Sequence, residues 1–232
     1  MHSAISPASI FRPGDCRDTG SMVLHDRIDE SQRHMVKQLL LLLTSTLLLG
    51  AGAAWSGPLE DGEAAYRRGD HARAAQLFRP LATGGNARAQ AVIGFMHYNG
   101  QGVAQDYAEA VRWYRLAAAQ GLAIAQSNLG AAYVEGKGAP QDYTEAVKLF
   151  RLAAAQGHAP AQSNLGARYA KGQGVAQDYV RAYMWFSLAA LSDATDATNN
   201  RDLTAQRMTP QQIAEAKKMA QECRQRNFKG CD

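Results

Sequence analysis

A 36-residue unit occurs three times in succession, at residues 86–121, 122–157 and 158–193, which limits the chain to folds that stack one supersecondary element on copies of itself. Each pair of adjacent units is identical at 19 of 36 positions. Gln90, Gln126 and Gln162 recur, as do Gly94, Gly130 and Gly166, the turn glycines Gly100/Gly102, Gly136/Gly138 and Gly172/Gly174, and Asp106, Asp142 and Asp178, each followed by tyrosine. A unit this short cannot bury an apolar face alone, but stacked on its neighbours it shares their core.

Each unit reads as two helices. In the middle unit a first helix over about 123–134 places Ala125, Leu129 and Tyr133 four apart on one face, and Gly130 leaves room for a neighbouring helix. Gly136-Lys137-Gly138 ends it, because glycine accepts the left-handed backbone of a helix terminus. Asp142 is a natural N-cap, and Glu145 three residues on completes a capping box, as Glu109 does after Asp106. Arg181 breaks that box in the third unit. The second helix carries Ala146, Phe150 and Ala153-Ala154, matched by Ala110, Tyr114 and Ala117-Ala118, then by Ala182, Phe186 and Ala189-Ala190. An aromatic knob facing alanine holes is how closely stacked helices interdigitate. Alanine and leucine dominate and no stretch alternates apolar with polar residues as a sheet requires, so the chain is expected to be all-α.

The pattern A-x-A-Q-x-x-L-G-x-x-Y-x-x-G-x-G-x-x-x-D-Y-x-x-A, complete from Ala123 to Ala146, resembles the Sel-one-like repeat, a longer-looped relative of the tetratricopeptide repeat. The resemblance covers residues 86 to about 191, with Ile93 in place of the leucine and His97 in place of the tyrosine. It implies a right-handed α-solenoid of antiparallel helix pairs. Residues 59–85 look like a tetratricopeptide-like first half-repeat, since Asp70, Ala74, Phe78 and Gly85 fall 36 positions before Asp106, Ala110, Tyr114 and Gly121, after a tighter turn at Tyr66–Asp70. In the C-terminal segment 194–232, Thr209 as N-cap, Pro210 and Gln212 open a capping helix striped with Ile213, Ala216, Met219, Ala220 and Cys223. An end unit is needed because the last repeat otherwise exposes its core face.

The start of the chain reads as an export signal. Lys37 precedes an 11-residue run from Leu39 to Leu49, interrupted only by Thr44, Ser45 and Thr46, and Ala51-Gly52-Ala53 offers a small-residue cleavage site. The run is too short to cross ~30 Å of hydrocarbon as a helix. Residues 35–53 are therefore expected to be a signal peptide cleaved near Ala53, giving a periplasmic or secreted product without a stable membrane span. Residues 1–34, with Pro7, Pro13 and no periodicity, are expected to be unstructured and to lie upstream of a true start at Met35 or Met22. Cleavage removes Cys16 and leaves Cys223 and Cys231, an even count that points to a disulfide, two free thiols being the alternative.

Chemistry-bearing motifs are sparse. There is no H-E-x-x-H, C-x-x-C, G-x-S-x-G or S-x-x-K, and the G-K-G at 136–138 lacks the serine or threonine of a phosphate loop. His71, His97 and His158 occupy different repeat positions and form no ladder of ligands, while Trp113 and Trp185 share the position of Leu149 and read as packing residues. The net charge of +4 arises from scattered Lys and Arg without a basic run, which argues against nucleic acid. No cofactor and no metal are expected.

The resemblance implies a non-catalytic interaction scaffold or adaptor in the cell envelope, binding a protein or peptide. Some cysteine-rich relatives are linked to penicillin binding or β-lactamase activity; here the repeats hold no cysteine. An envelope hydrolase or cell-wall binding enzyme, or a structural spacer, is the alternative. First helices of successive units line the concave side of such solenoids, so their non-core positions form ladders: Ala91/Ser127/Ser163, Val92/Asn128/Asn164, Phe95/Ala131/Ala167 and Met96/Ala132/Arg168. Ser127, Asn128, Ser163 and Asn164 are the candidate partner-binding residues, because an asparagine amide can pair with any peptide backbone. Phe95 and Met96 would add an apolar anchor and Arg168 a cation. The alternative is that these polar residues are solvated copies of one duplicated unit.

Overall fold

In the computed structural model, described for residues 57–192 and 195–231, regular structure among the described residues is entirely helical. The helices come as successive pairs: α1 (Pro58–Arg67) with α2 (His71–Thr83), α3 (Ala87–Asn99) with α4 (Tyr107–Ala119), α5 (Ala123–Glu135) with α6 (Tyr143–Ala154), and α7 (Ala159–Lys171) with α8 (Tyr179–Ala189). A single turn of 3₁₀ helix (Ala190–Ser192) leads to α9 (Thr195–Ala205) and α10 (Pro210–Gln225). Each helix packs on the next through α8, the arrangement of an α-solenoid. The signal-peptide region 35–53 and residues 1–34 lie outside the described residues.

Local chemistry sets the helix limits. Asp106, Asp142 and Asp178 each accept a backbone N–H from the residue three positions on, so every second helix of the three repeats starts on an aspartate. The reciprocal half of the expected capping boxes is not made: the Glu109 carboxylate accepts from Arg112 and Trp113, and Glu145 pairs with Lys148. A glutamate three residues after the cap lies equally close to side chains one turn further on, and in these units the cations hold it. The full box forms at Thr209 and Gln212.

Two glycines per unit make the stacking possible. A Cβ on Gly130 would lie 2.7 Å from the Phe150 ring, and the same clash recurs between Gly94 and Tyr114 and between Gly166 and Phe186. The aromatic knob of each second helix thus rests on the bare backbone of its own first helix. In the turn, Gly138 has a φ of 74° and abuts the Tyr107 backbone of the preceding unit, a contact repeated by Gly174 on Tyr143. Residues 58–83 form a pair of helices, and a Cβ on Gly62 would lie 2.8 Å from the Phe78 ring as one on Gly94 would from Tyr114. Gly62 precedes Gly94 by 32 positions instead of 36, so the turn of this pair is four residues shorter than those that follow.

The core is a chain of clusters, not one mass. Phe78, Ile93, Met96 and Trp113 form the first, Val111, Tyr114, Leu129 and Leu149 the second, and Phe150, Leu165, Met184, Trp185 and Phe186 the largest. Ala91, Ala117 and Ala125 form a fourth, small cluster, against which Ala118 and Leu122 pack. Both α9 and α10 pack on α8, with Ala220 and Cys223 entering the third cluster. The 195–205 helix precedes the one that Thr209 opens, so two helices follow α8 in the C-terminal segment. Cys223 and Cys231 are disulfide-bonded, with Cα atoms 5.2 Å apart. No described helix is long and apolar enough to cross a membrane.

Candidate interaction surface

Helices α3, α5 and α7 touch each other in sequence, in addition to touching their own partners, so the first helices form a common wall. The packing of that wall decides which side chains it presents. Of the seven residues expected to contact a partner, Phe95 is 41% exposed, and Asn128, Ser163 and Asn164 are half-buried. Met96 is fully buried in the first cluster, Ser127 is buried, and Arg168 is 7% exposed. Met96 is therefore a core residue and not part of an apolar anchor. The ladder Met96/Ala132/Arg168 points between the helices of the stack, which a spacing argument from one helix alone does not reveal.

Asn128 is turned toward the core as well, its side chain close enough to the buried Tyr114 hydroxyl to offset part of the rise that burial gives that phenol. Phe150 and Phe186 occupy the tyrosine's position in the other units and have no hydroxyl to offer. Burial pushes the Arg168 guanidinium below its ordinary range, opposed by the nearby Tyr143 hydroxyl. Its cation lies 5.6 Å from the Tyr143 ring centre, and its Nε has no hydrogen-bond partner.

A groove of about 590 Å³ opens on this wall where α1, α3 and α5 meet. Tyr66, Phe78, Val92, Phe95, Leu122 and Ile124 supply apolar lining, while Glu63, Arg67, Arg88 and Asn128 stand among them. Ile124 is 48% exposed and was not expected in a site. Its signal in the sequence is departure from the repeat: the corresponding residues before and after it are Arg88 and Pro160.

Polar ladders on the rest of the stack hold units together. Arg115 donates to the Tyr133 hydroxyl at 3.1 Å and Arg151 to that of Tyr169 at 2.8 Å, each joining a second helix to the next first helix. Tyr98 donates to Glu135 at 2.8 Å, and Lys137 pairs with the same carboxylate at 2.7 Å. Lys137 holds the Glu135 carboxyl below its usual value, while burial and then that carboxylate push the Tyr98 phenol up. Among the described residues no three His, Cys, Asp or Glu side chains gather as metal ligands.

Three consecutive Sel1 repeats are recognised by the sequence profile of that family, over residues 87–122, 123–158 and 159–193. The chain carries three Sel1 repeats. Two solved structures share its architecture: c5321, a protective antigen present in uropathogenic Escherichia coli strains and displaying an SLR fold, and a Sel1 repeat protein from Oxalobacter formigenes. The first is 30% identical over 68% of this chain and 42% of its own, with a TM-score of 0.52. The second is 36% identical over 62% of this chain and 59% of its own, with a TM-score of 0.59. The chain thus spans about half the length of these relatives. No curated protein matches it at the sequence level. Sel1 repeats generally build helical scaffolds for protein–protein contact.

Proposed function

We propose that this protein is a non-catalytic adaptor of the cell envelope that holds a partner polypeptide on the wall formed by α3, α5 and α7. The observation that carries this reading is where the chain's own helices stop: α9 and α10 seal the end of the stack at α8, and the groove at the other end keeps Phe95 and Ile124 in solvent. Ser163 and Asn164 stand half-buried on the same wall, with polar groups available to a backbone laid along it. The envelope is supported by the Cys223–Cys231 disulfide, since such bonds persist in oxidising compartments, and by the signal-like run Leu39–Leu49.

Placing a photo-crosslinking side chain at Asn164 or Phe95, and separately at the exposed Leu152 on α6, tests this in the cell that makes the protein. Crosslinks to a discrete polypeptide from the first two positions and none from Leu152 are expected. Crosslinks from Leu152 alone would move the partner to the outer helices and reject the reading.

A further inference from the structure

Building on the wall as the partner site, we infer that the groove between α1, α3 and α5 selects a polypeptide segment presenting a large apolar side chain beside a carboxylate. The apolar half follows from Phe95 and Ile124, which remain 41% and 48% exposed while flanking Val92 and Leu122. This patch occurs once along the wall. One unit further on, the residues in register with Val92, Phe95 and Ile124 are Asn128, Ala131 and Pro160, so duplication of the unit does not account for it. A groove of about 590 Å³ falls within the range of roughly 300–1,000 Å³ typical of ligand clefts.

The charged half follows from the ionisable side chains in the lining. Glu63 lies 3.8 Å from Arg67 and is already paired. Arg88 has no carboxylate partner among the described residues, although it is exposed beside the apolar lining on the first turn of α3. A guanidinium fork matches a carboxylate in shape and charge, so an acidic group next to the buried side chain gains a partner where a basic one meets repulsion. The wall continues past the groove to Ser163 and Asn164, offering a chain further backbone contacts that an isolated small molecule would not use.

The test uses the full chain and three capped, fluorescein-labelled hexapeptides: Gly-Asp-Trp-Leu-Asp-Gly, its variant with lysine for both aspartates, and its variant with serines for Trp-Leu. Fluorescence anisotropy should show the first binding about tenfold more tightly than either other peptide. Phe95→Ala and Ile124→Ser should each weaken it by about tenfold, both side chains being exposed enough to leave the fold intact. Arg88→Glu should invert the order of the aspartate and lysine peptides, and it is compatible with folding because an acid suits the first turn of a helix. Absence of binding by the first peptide, equal binding of all three, or an unchanged order in Arg88→Glu would overturn the inference. So would laurate binding without any peptide, which assigns the groove to a fatty acid. The crosslinks from Asn164 are independent of these peptides: if they persist while the peptides fail, the wall stands as the partner site and only the groove's selectivity is lost.

Discussion

Gln156 donates its side-chain amide to Gln126 Oε1 at 2.9 Å, and Gln126 in turn donates to the carbonyl of Ala118 at 3.4 Å. One buried amide thereby ties α5 to the end of its own second helix and to the end of the preceding one. The same two bonds join Gln120 to Gln90 at 2.8 Å and Gln90 to Ala82 at 3.1 Å. The recurring glutamines are structural fasteners. Replacing Gln126 with leucine removes two part-buried bonds, the one from Gln156 and the one to the Ala118 carbonyl, and should cost about 0.5–1.5 kcal/mol for each. Urea denaturation of Gln126→Leu, Gln156→Leu and the double variant measures it; strictly additive losses would show that the two side chains are not coupled.

Gly138 and Gly121 separate backbone strain from contact between units. Both have positive φ, 74° and 85°, but a Cβ on Gly121 meets nothing within 4 Å, whereas one on Gly138 runs into the Tyr107 backbone. Gly121→Ala should lose only the left-handed penalty of about 1–2 kcal/mol. Gly138→Ala should lose clearly more, because two units must move apart. Equal melting temperatures for the two variants would mean that the turn is not a tight joint.

Reduction of Cys223–Cys231 should free the last loop, where Phe228 packs over Gly157 at the junction of the second and third units. Closing so short a loop contributes about 2.5 kcal/mol in the chain-entropy treatment. Thermal melts with and without reductant, alongside Cys231→Ser, give the loss directly. If the reduced protein matched the oxidised one in stability and in protease resistance near residue 226, the clamp would be dispensable.

Acid should loosen the joint between the first and second units. The Glu135 carboxyl is held below its ordinary value of 4.5, chiefly by its bond from Lys137. It therefore takes up a proton more readily in the unfolded chain than in the folded one. The stability it contributes is present above about pH 4.5 and is lost as the pH falls through the lower folded value. Glu135→Gln should accordingly narrow the difference in melting temperature between about pH 7 and about pH 3. An unchanged difference would place the acid sensitivity elsewhere.

Much of the stack was legible in the amino-acid pattern, because in a solenoid each element meets only its sequence neighbours. The aspartate caps and the three helix pairs follow from spacing alone, whereas the aromatic knobs, expected to face alanine, rest on Gly94, Gly130 and Gly166. The complete first pair was hidden by the four residues missing from its turn, which shifted Gly62 out of the 36-residue register. Helix α9 carries little apolar periodicity and is held by α8. The wall was half legible. Ladder arithmetic leaves Phe95, Ser163 and Asn164 at least partly exposed, as they are, but it could not tell that Met96 turns inward, that Asn128 lies near the Tyr114 hydroxyl, or that Ile124 stands exposed. Those outcomes depend on the angle at which one pair meets the next.

Ser192 sits where a third glutamine would follow Gln120 and Gln156, and the space beyond α8 is occupied by α9 and α10. The array therefore has a polarity of growth. An extra 36-residue copy inserted between the second and third units would find a fastener on both sides. A copy appended behind residue 193 would find neither the amide to engage nor a bare helix to rest on. The length of the scaffold, and with it the stretch of partner it can span, is set from the N-terminal side of that terminator.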